Sequence, residues 1–483
     1  MAKLTGEKIS LILLGFFILV LMWRYLYFDL NGVTNGWEYR MAIVSIVLVI
    51  YYIVVWKILK FRLISPSFFI LLSMWLFHVS LVVVMGFKLH EYNPYIMLYR
   101  YGNQNSFNAL FFSNVVITFY VFGLILFFTK KSSTVEEKTS EDLVETKICR
   151  GIGITLFFIT VLPMLYTNYA QVTAKIVEGY SGTMSADTSF HGIPLGWFTK
   201  LFLPSILLIM ASYKNNKRKF LMIMVPIITY YTIFMFFTGR KGNTIQTIAP
   251  ILVMYFFYFK PKVRIVHLAL VYGGLYIMTI VTQTRKMSVD TNFWDQVKYL
   301  VLEANPIVDM MYEMGGTIKA VIQMQLAVPD TGSFLFGLTY ISGIFVSISN
   351  GLKLSIATPL NHYAVFADYL SMPERGALLN SSVASMGGSS IAEWWWNFGW
   401  FSIIFVLFFA KLTLNYENKL IKLLNNPTKL AIWCSFLYYI MRYTRGYITD
   451  AVWDPLFIYC FIMVIYKYCK KKVRLKNRDQ SYE

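Results

Sequence analysis

Residues 41–56 of the chain read MAIVSIVLVIYYIVVW, a run without a single charged side chain. A helix through these residues has no polar face, which is typical of a segment surrounded by lipid. Similar runs recur along the whole chain, and 57% of the 483 residues are hydrophobic whereas only 14% are charged. A soluble protein carries about a quarter charged residues. The sequence therefore predicts an all-α polytopic membrane protein, and it excludes a soluble enzyme, a nucleic-acid-binding protein and a single-pass receptor.

About twelve transmembrane helices are predicted, one for each apolar run long enough to cross the hydrocarbon layer. The approximate ranges are 9–28, 41–56, 64–86, 109–129, 152–168, 197–213, 220–237, 244–259, 265–282, 395–410, 430–443 and 455–468. The N-terminal run is interpreted as a retained first span, because no small-residue cleavage signal follows it.

The net charge of +19 is interpreted through its distribution along the chain. With the N-terminus in the cytoplasm, every even-numbered junction between spans is rich in lysine and arginine, as the positive-inside rule expects. Residues 57–62, 214–219, 260–264 and the tail 467–478 are examples. We therefore expect both termini in the cytoplasm and the long loops on the outer face.

Three regions follow from this topology. Residues 1–282 contain nine transmembrane helices and a cytoplasmic linker at 130–150, and residues 395–483 contain three more helices and a basic cytoplasmic tail. Between them, residues 283–394 form a large extracytoplasmic loop domain.

The composition of this loop domain is not that of a disordered segment. Residues 295–307 and 310–326 show helical spacing of apolar residues. Residues 334–348 form an apolar stretch interrupted by glycine, which indicates a re-entrant segment.

Positive charge on the outer face is an exception to the positive-inside rule and needs a physical reason. The residues concerned are Arg240 and Lys241 in a glycine-flanked turn, Arg285 and Lys286 after the ninth span, Arg375 in the loop domain, and Arg442 with Arg445. A guanidinium group at a membrane surface suits a pyrophosphate, because it stays charged and offers a planar pair of donors. The alternative is that these side chains reach lipid headgroups or pair with Asp450, Asp454 or Glu393.

Acidic residues are scarcer, and two are candidates for a catalytic role. Glu393 lies at the outer mouth of the tenth span, in the stretch GGSSIAEWWWNFG at 387–399, and Glu313 lies at a junction between a helix and a turn. A glutamate in an aromatic setting suits a general base or acid. Trp394, Trp395 and Asn397 are candidates for sugar binding, although tryptophan more commonly marks the membrane interface.

Metal and cofactor chemistry has no support in the sequence. His78 lies within a span, where a structural role is usual, and the outer His191 and His362 have no second ligand at metal-like spacing. The four cysteines indicate neither a disulfide nor a zinc site. No Walker loop, GxSxG or HExxH pattern lies on a suitable element. We therefore expect neither a metal ion nor a cofactor.

Several short motifs carry a resemblance to a known family. They are TGRKG at 238–242, TRK at 284–286, EMGG at 313–316 with Val328-Pro329 downstream, GGSSIAE at 387–393 and NFG at 397–399. With these motifs and its pattern of spans, the chain resembles bacterial O-antigen and capsular polysaccharide repeat-unit polymerases of the Wzy type. The motifs cover about residues 235–400, and the span pattern extends the likeness to most of the chain.

The resemblance implies a membrane glycosyltransferase of GT-C-like architecture in the bacterial cytoplasmic membrane. Such an enzyme transfers the growing glycan from undecaprenyl pyrophosphate to a lipid-linked repeat unit on the outer face. On this interpretation Arg240 and Arg285 stabilise the pyrophosphate leaving group, with Arg442 and Arg445 behind them, and Glu393 or Glu313 activates or orients the acceptor hydroxyl. The substrates are undecaprenyl-pyrophosphate-linked oligosaccharides in the lipid bilayer. Protein partners could include a chain-length regulator and a flippase, and no nucleic acid is involved.

Two other interpretations stay open. An O-antigen-ligase-like enzyme with the same outer-face site would use an outer histidine, for which His362 is the candidate. A flippase for lipid-linked oligosaccharide would show repeated halves and broken helices near the middle of the membrane. The polar residues instead concentrate in one unpaired outer loop, which favours an enzyme.

Overall fold

The computed structural model of the chain describes residues 5–27, 33, 36–89, 98, 101–129, 140–238, 241–262, 272–274, 276, 305–330, 332–354, 356–357, 360–365 and 387–479. In chain order the helices are α1 (Gly6–Leu26), α2 (Trp37–Ile58), α3 (Pro66–His78), α4 (Ser80–Gly86), α5 (Asn103–Phe127), α6 (Ser140–Ser185), α7 (Gly196–Ala211), α8 (Lys217–Thr238), α9 (Lys241–Phe259), α10 (Pro306–Gly315), α11 (Ile318–Ala327), α12 (Leu338–Gly351), α13 (Asn361–Ala364), α14 (Ser390–Phe398), α15 (Ser402–Lys422), α16 (Pro427–Thr444) and α17 (Trp453–Asp479). Two 3-10 turns, Gly399–Phe401 and Ile448–Ala451, and a short antiparallel pair, β1 (Ser189–Phe190) and β2 (Ile193–Pro194), complete the regular structure of these residues. The predicted helical class is confirmed for this part of the chain.

The chain divides into two compact units. The first unit comprises Met1–Lys131, Ile307–Asn418 and Ile440–Trp453, and the second comprises Ser132–Pro306, Lys419–Tyr439 and Asp454–Glu483. Each unit therefore combines segments that are distant in the sequence. The three regions expected from the topology, with boundaries at 282 and 394, stay a prediction.

Six helical stretches of the described residues are long and apolar enough to cross a membrane. By length and composition they are Gly6–Leu26, Trp37–Ile58, Asn103–Phe127, Leu143–Val177, Ser390–Lys422 and Ile448–Val473. Ser390–Lys422 is interrupted at Gly399, and the bent pair α3–α4 is a seventh stretch if it counts as one span. The chain is thus a multi-pass membrane protein. The count of twelve spans, the GT-C-like arrangement and the cytoplasmic location of both termini stay predictions.

The predicted span 64–86 is a helix broken in its middle. Ser65 begins it, because its Oγ accepts a hydrogen bond from the backbone N–H of Phe68 and Pro66 occupies the first helical position. The helix stops at His78, and α4 continues at an angle of 48° after Val79. The Oγ of Ser80 lies 2.6 Å from the carbonyl oxygens of both Leu76 and Met311, and its hydroxyl can donate a hydrogen bond to either of them.

A second interruption separates α14 from α15. The rings of Trp394 and Phe409 lie 5.4 Å apart between centroids, although fifteen positions along a continuous helix would separate them by about 22 Å. The chain reverses at Gly399, whose φ of +52° is a conformation that favours glycine. The structure thus differs from the predicted span 395–410: α15 runs over Ser402–Lys422, and α14 folds back beside it.

The second unit is built around α6, a helix of 46 residues. At 1.5 Å per residue it is about 69 Å long, well beyond the hydrocarbon thickness of a bilayer. Near its start, Glu145 accepts a hydrogen bond of 2.6 Å from Tyr466 and pairs with Lys470, both on α17. The second half of the expected linker 130–150 is therefore helical, and residues 130–139 lie outside the described residues.

The predicted helices of the loop domain are found in part. α10 and α11 occupy most of the expected helix 310–326, and α12 covers most of the stretch 334–348 that was expected to be re-entrant. Of the expected helix 295–307, residues 295–304 lie outside the described residues.

Candidate active site

α14 is buried on every side, unlike a helix that faces lipid. All its residues from Ser390 to Asn397 are buried. Its N-terminus is capped by Ser389, whose Oγ accepts a hydrogen bond of 3.1 Å from the backbone N–H of Ala392. The polar side chains of this helix therefore point into the protein, where each one needs a partner.

Glu393 is the acidic residue of α14, and its side chain is 0% exposed. Its Oε2 accepts a hydrogen bond of 3.2 Å from the backbone N–H of Ile448, the first residue of the second 3-10 turn. The hydroxyls of Thr339 and Tyr443 flank the carboxyl group. Oε1 is buried and has no hydrogen-bond partner within 3.5 Å among the described residues. The geometry therefore makes Glu393 a buried acceptor for the turn that follows α16.

Asn397, one turn further along α14, has its amide fully used within the protein. Its Nδ2 donates to Thr339 Oγ1 and to the carbonyl of Glu393, both at 2.7 Å. Its Oδ1 accepts from the backbone N–H of Gly337 at 2.9 Å. Asn397 thus holds the start of α12, and its predicted contact with substrate stays a prediction.

The two candidate tryptophans are also engaged. Trp394 is 0% exposed and donates through Nε1 to the Tyr443 hydroxyl at 3.0 Å. Trp395 is 9% exposed and donates to the carbonyl of Val328 at 2.9 Å. Both rings are enclosed by protein here, and their stacking on a sugar stays a prediction.

Arg442 and Arg445 lie at the C-terminal end of α16 and are exposed. Arg442 forms a salt bridge of 3.0 Å with Asp450. The guanidinium carbon of Arg445 lies 5.6 Å from the centre of the Phe77 ring, within the range of a cation–π contact. Of the acids considered as partners of these arginines, Asp450 pairs with Arg442, whereas Asp454 pairs with Lys200 at 2.6 Å in the second unit.

Two glycines bring the segment before α14 into direct contact with residues 445–448, the arginine-bearing turn that follows α16. A Cβ placed on Gly388 would lie 2.8 Å from the backbone of Gly446 and 2.7 Å from the ring of Tyr447. Real Cβ atoms do not approach backbone this closely, so only glycine fits at position 388. The segment that leads into α14 therefore rests on the residue next to Arg445.

Glu313, the second candidate acid, lies on α10 and is half-buried. α10 packs on the broken span, since a Cβ on Gly315 would lie 2.5 Å from the backbone nitrogen of Leu81 and the carbonyl of Met311 contacts Ser80. These contacts join α10 to the start of α4.

One contact was missed by the sequence analysis. Nε2 of His78, which was interpreted as structural, lies 2.7 Å from Oγ of Ser389, the cap of α14. The available signal was a histidine in the middle of an apolar run, and nothing in the sequence pairs it with a serine 311 positions away.

The remaining predicted residues lie in the second unit or outside the described residues. Lys241 begins α9 in the second unit, and its side chain is not described. Arg240, Arg285, Lys286 and Arg375 lie outside the described residues. Within the described part of the chain, no group of three or more His, Cys, Asp or Glu side chains is arranged to hold a metal ion.

A family model described as O-antigen polysaccharide polymerase Wzy matches residues 9–473, nearly the whole chain. No curated protein and no solved structure matches.

Proposed function

Because the chain belongs to the O-antigen polysaccharide polymerase Wzy family, we propose that it lengthens a glycan on undecaprenyl pyrophosphate at the outer face of the bacterial cytoplasmic membrane. Membership makes it a membrane glycosyltransferase-type polymerase that acts on lipid-linked oligosaccharide repeat units. We propose further that the lipid carrier is undecaprenyl pyrophosphate, that the reaction takes place on the outer face, and that both termini lie in the cytoplasm. The roles of the residues named below belong to the same proposal.

The reaction forms one glycosidic bond and breaks one bond to phosphate. A hydroxyl on the non-reducing-end sugar of the newly arrived repeat unit attacks the anomeric carbon of the growing glycan. The bond from that carbon to the pyrophosphate oxygen breaks, and undecaprenyl pyrophosphate leaves with the bonding electrons. The hydroxyl proton passes to a base. Negative charge on the pyrophosphate grows in the transition state, so fixed cations stabilise it more than the ground state.

The observation that carries the proposal is the position of Arg445. Its guanidinium group is exposed at the end of α16, beside the buried, glycine-bounded start of α14. A guanidinium group stays charged and presents a planar set of donors, which suits the oxygens of a pyrophosphate. Arg442, about one helical turn earlier on α16, adds a second positive charge close to Arg445. Arg240 and Arg285 remain the first candidates for the pyrophosphate, with Lys241, Lys286 and Arg375 as further substrate contacts.

Glu393 has a supporting role in this proposal. Its complete burial and its hydrogen bond to Ile448 favour a residue that positions the arginine-bearing turn over one that receives a proton. Glu313, which is half-buried, is the better candidate to activate the acceptor hydroxyl. Trp394, Trp395 and Asn397 would border the sugars, and the reaction as proposed uses no metal or cofactor. A flippase that delivers repeat units and a chain-length regulator are the expected partners.

A flippase is the second candidate function, because the break between α3 and α4 is a feature found in transporters. A size profile of lipid-linked and surface glycans from a strain lacking the gene distinguishes the two functions. We expect single repeat units on their carrier, exposed on the outer face and never lengthened. Repeat units retained on the cytoplasmic face would instead identify a flippase and overturn the polymerase.

A further inference from the structure

A buried hydrogen bond joins the broken span to the folded-back helix. His78 is the last residue of α3, and Ser389 immediately precedes α14. Nε2 of His78 and Oγ of Ser389 lie 2.7 Å apart, and both residues are 0% exposed. Away from water, each of the two groups depends on the other for its hydrogen bond.

The second ring nitrogen of His78 determines the direction of this bond. Nδ1 lies 2.8 Å from the carbonyl oxygen of Met74, and a carbonyl oxygen can only accept. Nδ1 of the neutral ring therefore carries the proton, and Nε2 accepts from the Ser389 hydroxyl. The oxygen of Ser389 remains available to accept from Ala392, so one serine both caps α14 and fastens it to α3.

The neighbour of His78 makes a second connection to the same place. Phe77 lies under the guanidinium group of Arg445. Gly388, the neighbour of Ser389, packs on the backbone of Gly446, the neighbour of Arg445. Two successive residues at the end of α3 therefore support the start of α14 and the arginine.

We propose that His78 is a positioning residue of the polymerase, which acts through Ser389 to hold the start of α14 against the turn that carries Arg445. The inference rests on the proposed function, since His78 itself performs no chemistry on the substrate. Without the acceptor, the Ser389 hydroxyl loses its fixed orientation, the cap weakens, and Arg445 is no longer held where the leaving group develops charge.

Two variants remove the bond and two retain it. His78→Leu removes the acceptor and Ser389→Ala removes the donor, whereas His78→Gln offers an amide oxygen near Nε2 and Ser389→Thr keeps the hydroxyl. Ser113→Ala is the matched control, because it removes another buried hydroxyl of the first unit, one that donates to Ala109 within its own helix.

The experiment measures kcat, KM for a lipid-linked repeat unit and Tm, using purified full-length chain in vesicles. We expect His78→Leu and Ser389→Ala to lower kcat about tenfold with KM within about twofold, because substrate binding is kept and transition-state placement is lost. His78→Gln and Ser389→Thr should recover most of kcat, and Ser113→Ala should match the wild type. The double variant His78→Leu/Ser389→Ala should be no slower than the slower single variant, because both remove the same bond.

Other results overturn the inference. If the wild-type chain forms polymer and the His78→Leu variant has the same kcat, the role of His78 is overturned while the proposed function stays intact. A His78→Gln variant that is as slow as His78→Leu overturns that role in the same way, because retention of an acceptor would then be irrelevant. A wild-type chain that forms no polymer overturns the proposed function and this inference with it.

Discussion

Two buried glutamates on the α14–α15 hairpin invite comparison. Glu417 on α15 is 7% exposed and accepts a hydrogen bond of 2.7 Å from Ser67, in the first turn of α3. The guanidinium group of Arg62 is also close to it. Glu393 on α14 is 0% exposed and accepts from the backbone of Ile448. Burial and residue type are nearly the same at the two positions.

The difference lies in what each carboxyl group holds. Glu417 fastens α15 to the start of α3, a helix end with amides that need acceptors, so its role is to hold the fold together. Glu393 fastens α14 to the turn after α16, which lies between Arg445 at the end of that helix and Asp450, the partner of Arg442. Burial alone therefore does not identify a buried glutamate as part of the site. The segment that its carboxyl group holds, and the residues on that segment, decide the assignment.

The largest expected effect comes from forcing the segment before α14 away from the turn that follows α16. Gly388→Val should abolish polymer formation, because a Cβ there meets the backbone of Gly446 at 2.8 Å and the two segments must move apart. Glycan size profiles of a complemented deletion strain measure this. The control is Gly151→Ala, where an added Cβ meets nothing within 4 Å, and polymer of normal length is expected from it. Normal polymer from Gly388→Val would show that the contact is unnecessary.

An intermediate effect should separate the two glutamates. Glu393→Leu should lower kcat per folded molecule about tenfold or more, because the backbone N–H of Ile448 loses its acceptor and the turn is no longer held in place. Glu417→Leu should lower Tm, because Ser67 loses its acceptor, with kcat per folded molecule within about twofold. Paired measurements of Tm and kcat on the purified variants test this, and the opposite assignment of the two losses would contradict the comparison.

The smallest effect is expected from Glu393→Gln. The amide oxygen can still accept from Ile448, so kcat should stay within about threefold of wild type if Glu393 positions the turn. A residue that transfers a proton contributes about a hundredfold or more to the rate. A loss of that size in Glu393→Gln, in protein of unchanged Tm, would restore the role of general base or acid to Glu393.

Much of the helical framework was predictable because apolar composition is a local property. The runs 9–28 and 41–56 correspond to α1 and α2 within a few residues. The break after His78 was not predictable, and Ser80 beside it contacts Met311, a residue far along the chain that no local pattern pairs with it. The reversal at Gly399 likewise brings together the rings of Trp394 and Phe409, which are fifteen positions apart in the sequence.

The candidate site shows the same limit. Glu393 and Arg445 stand out in the sequence because charge is unusual at their positions. Their partners, Ile448 and Phe77, are ordinary apolar residues that no pattern distinguishes, and the pairing of His78 with Ser389 bridges 311 positions. Which residues carry chemistry was therefore easier to predict than what holds them in place.

The most direct test of the central claim compares two arginines that each lie over an aromatic ring. Arg445 lies over Phe77 and Arg150 lies over Tyr213 at 4.6 Å, in a segment expected to be cytoplasmic. The measurement is the release of undecaprenyl pyrophosphate per glycosidic bond formed, by purified chain in vesicles supplied with lipid-linked repeat units. We expect one release per bond from the wild type, a rate about a hundredfold lower from Arg445→Ala with partial recovery in Arg445→Lys, and a rate within about twofold from Arg150→Ala. Long polymer from Arg445→Ala at the wild-type rate would contradict the proposed role of Arg445 in stabilising the pyrophosphate leaving group.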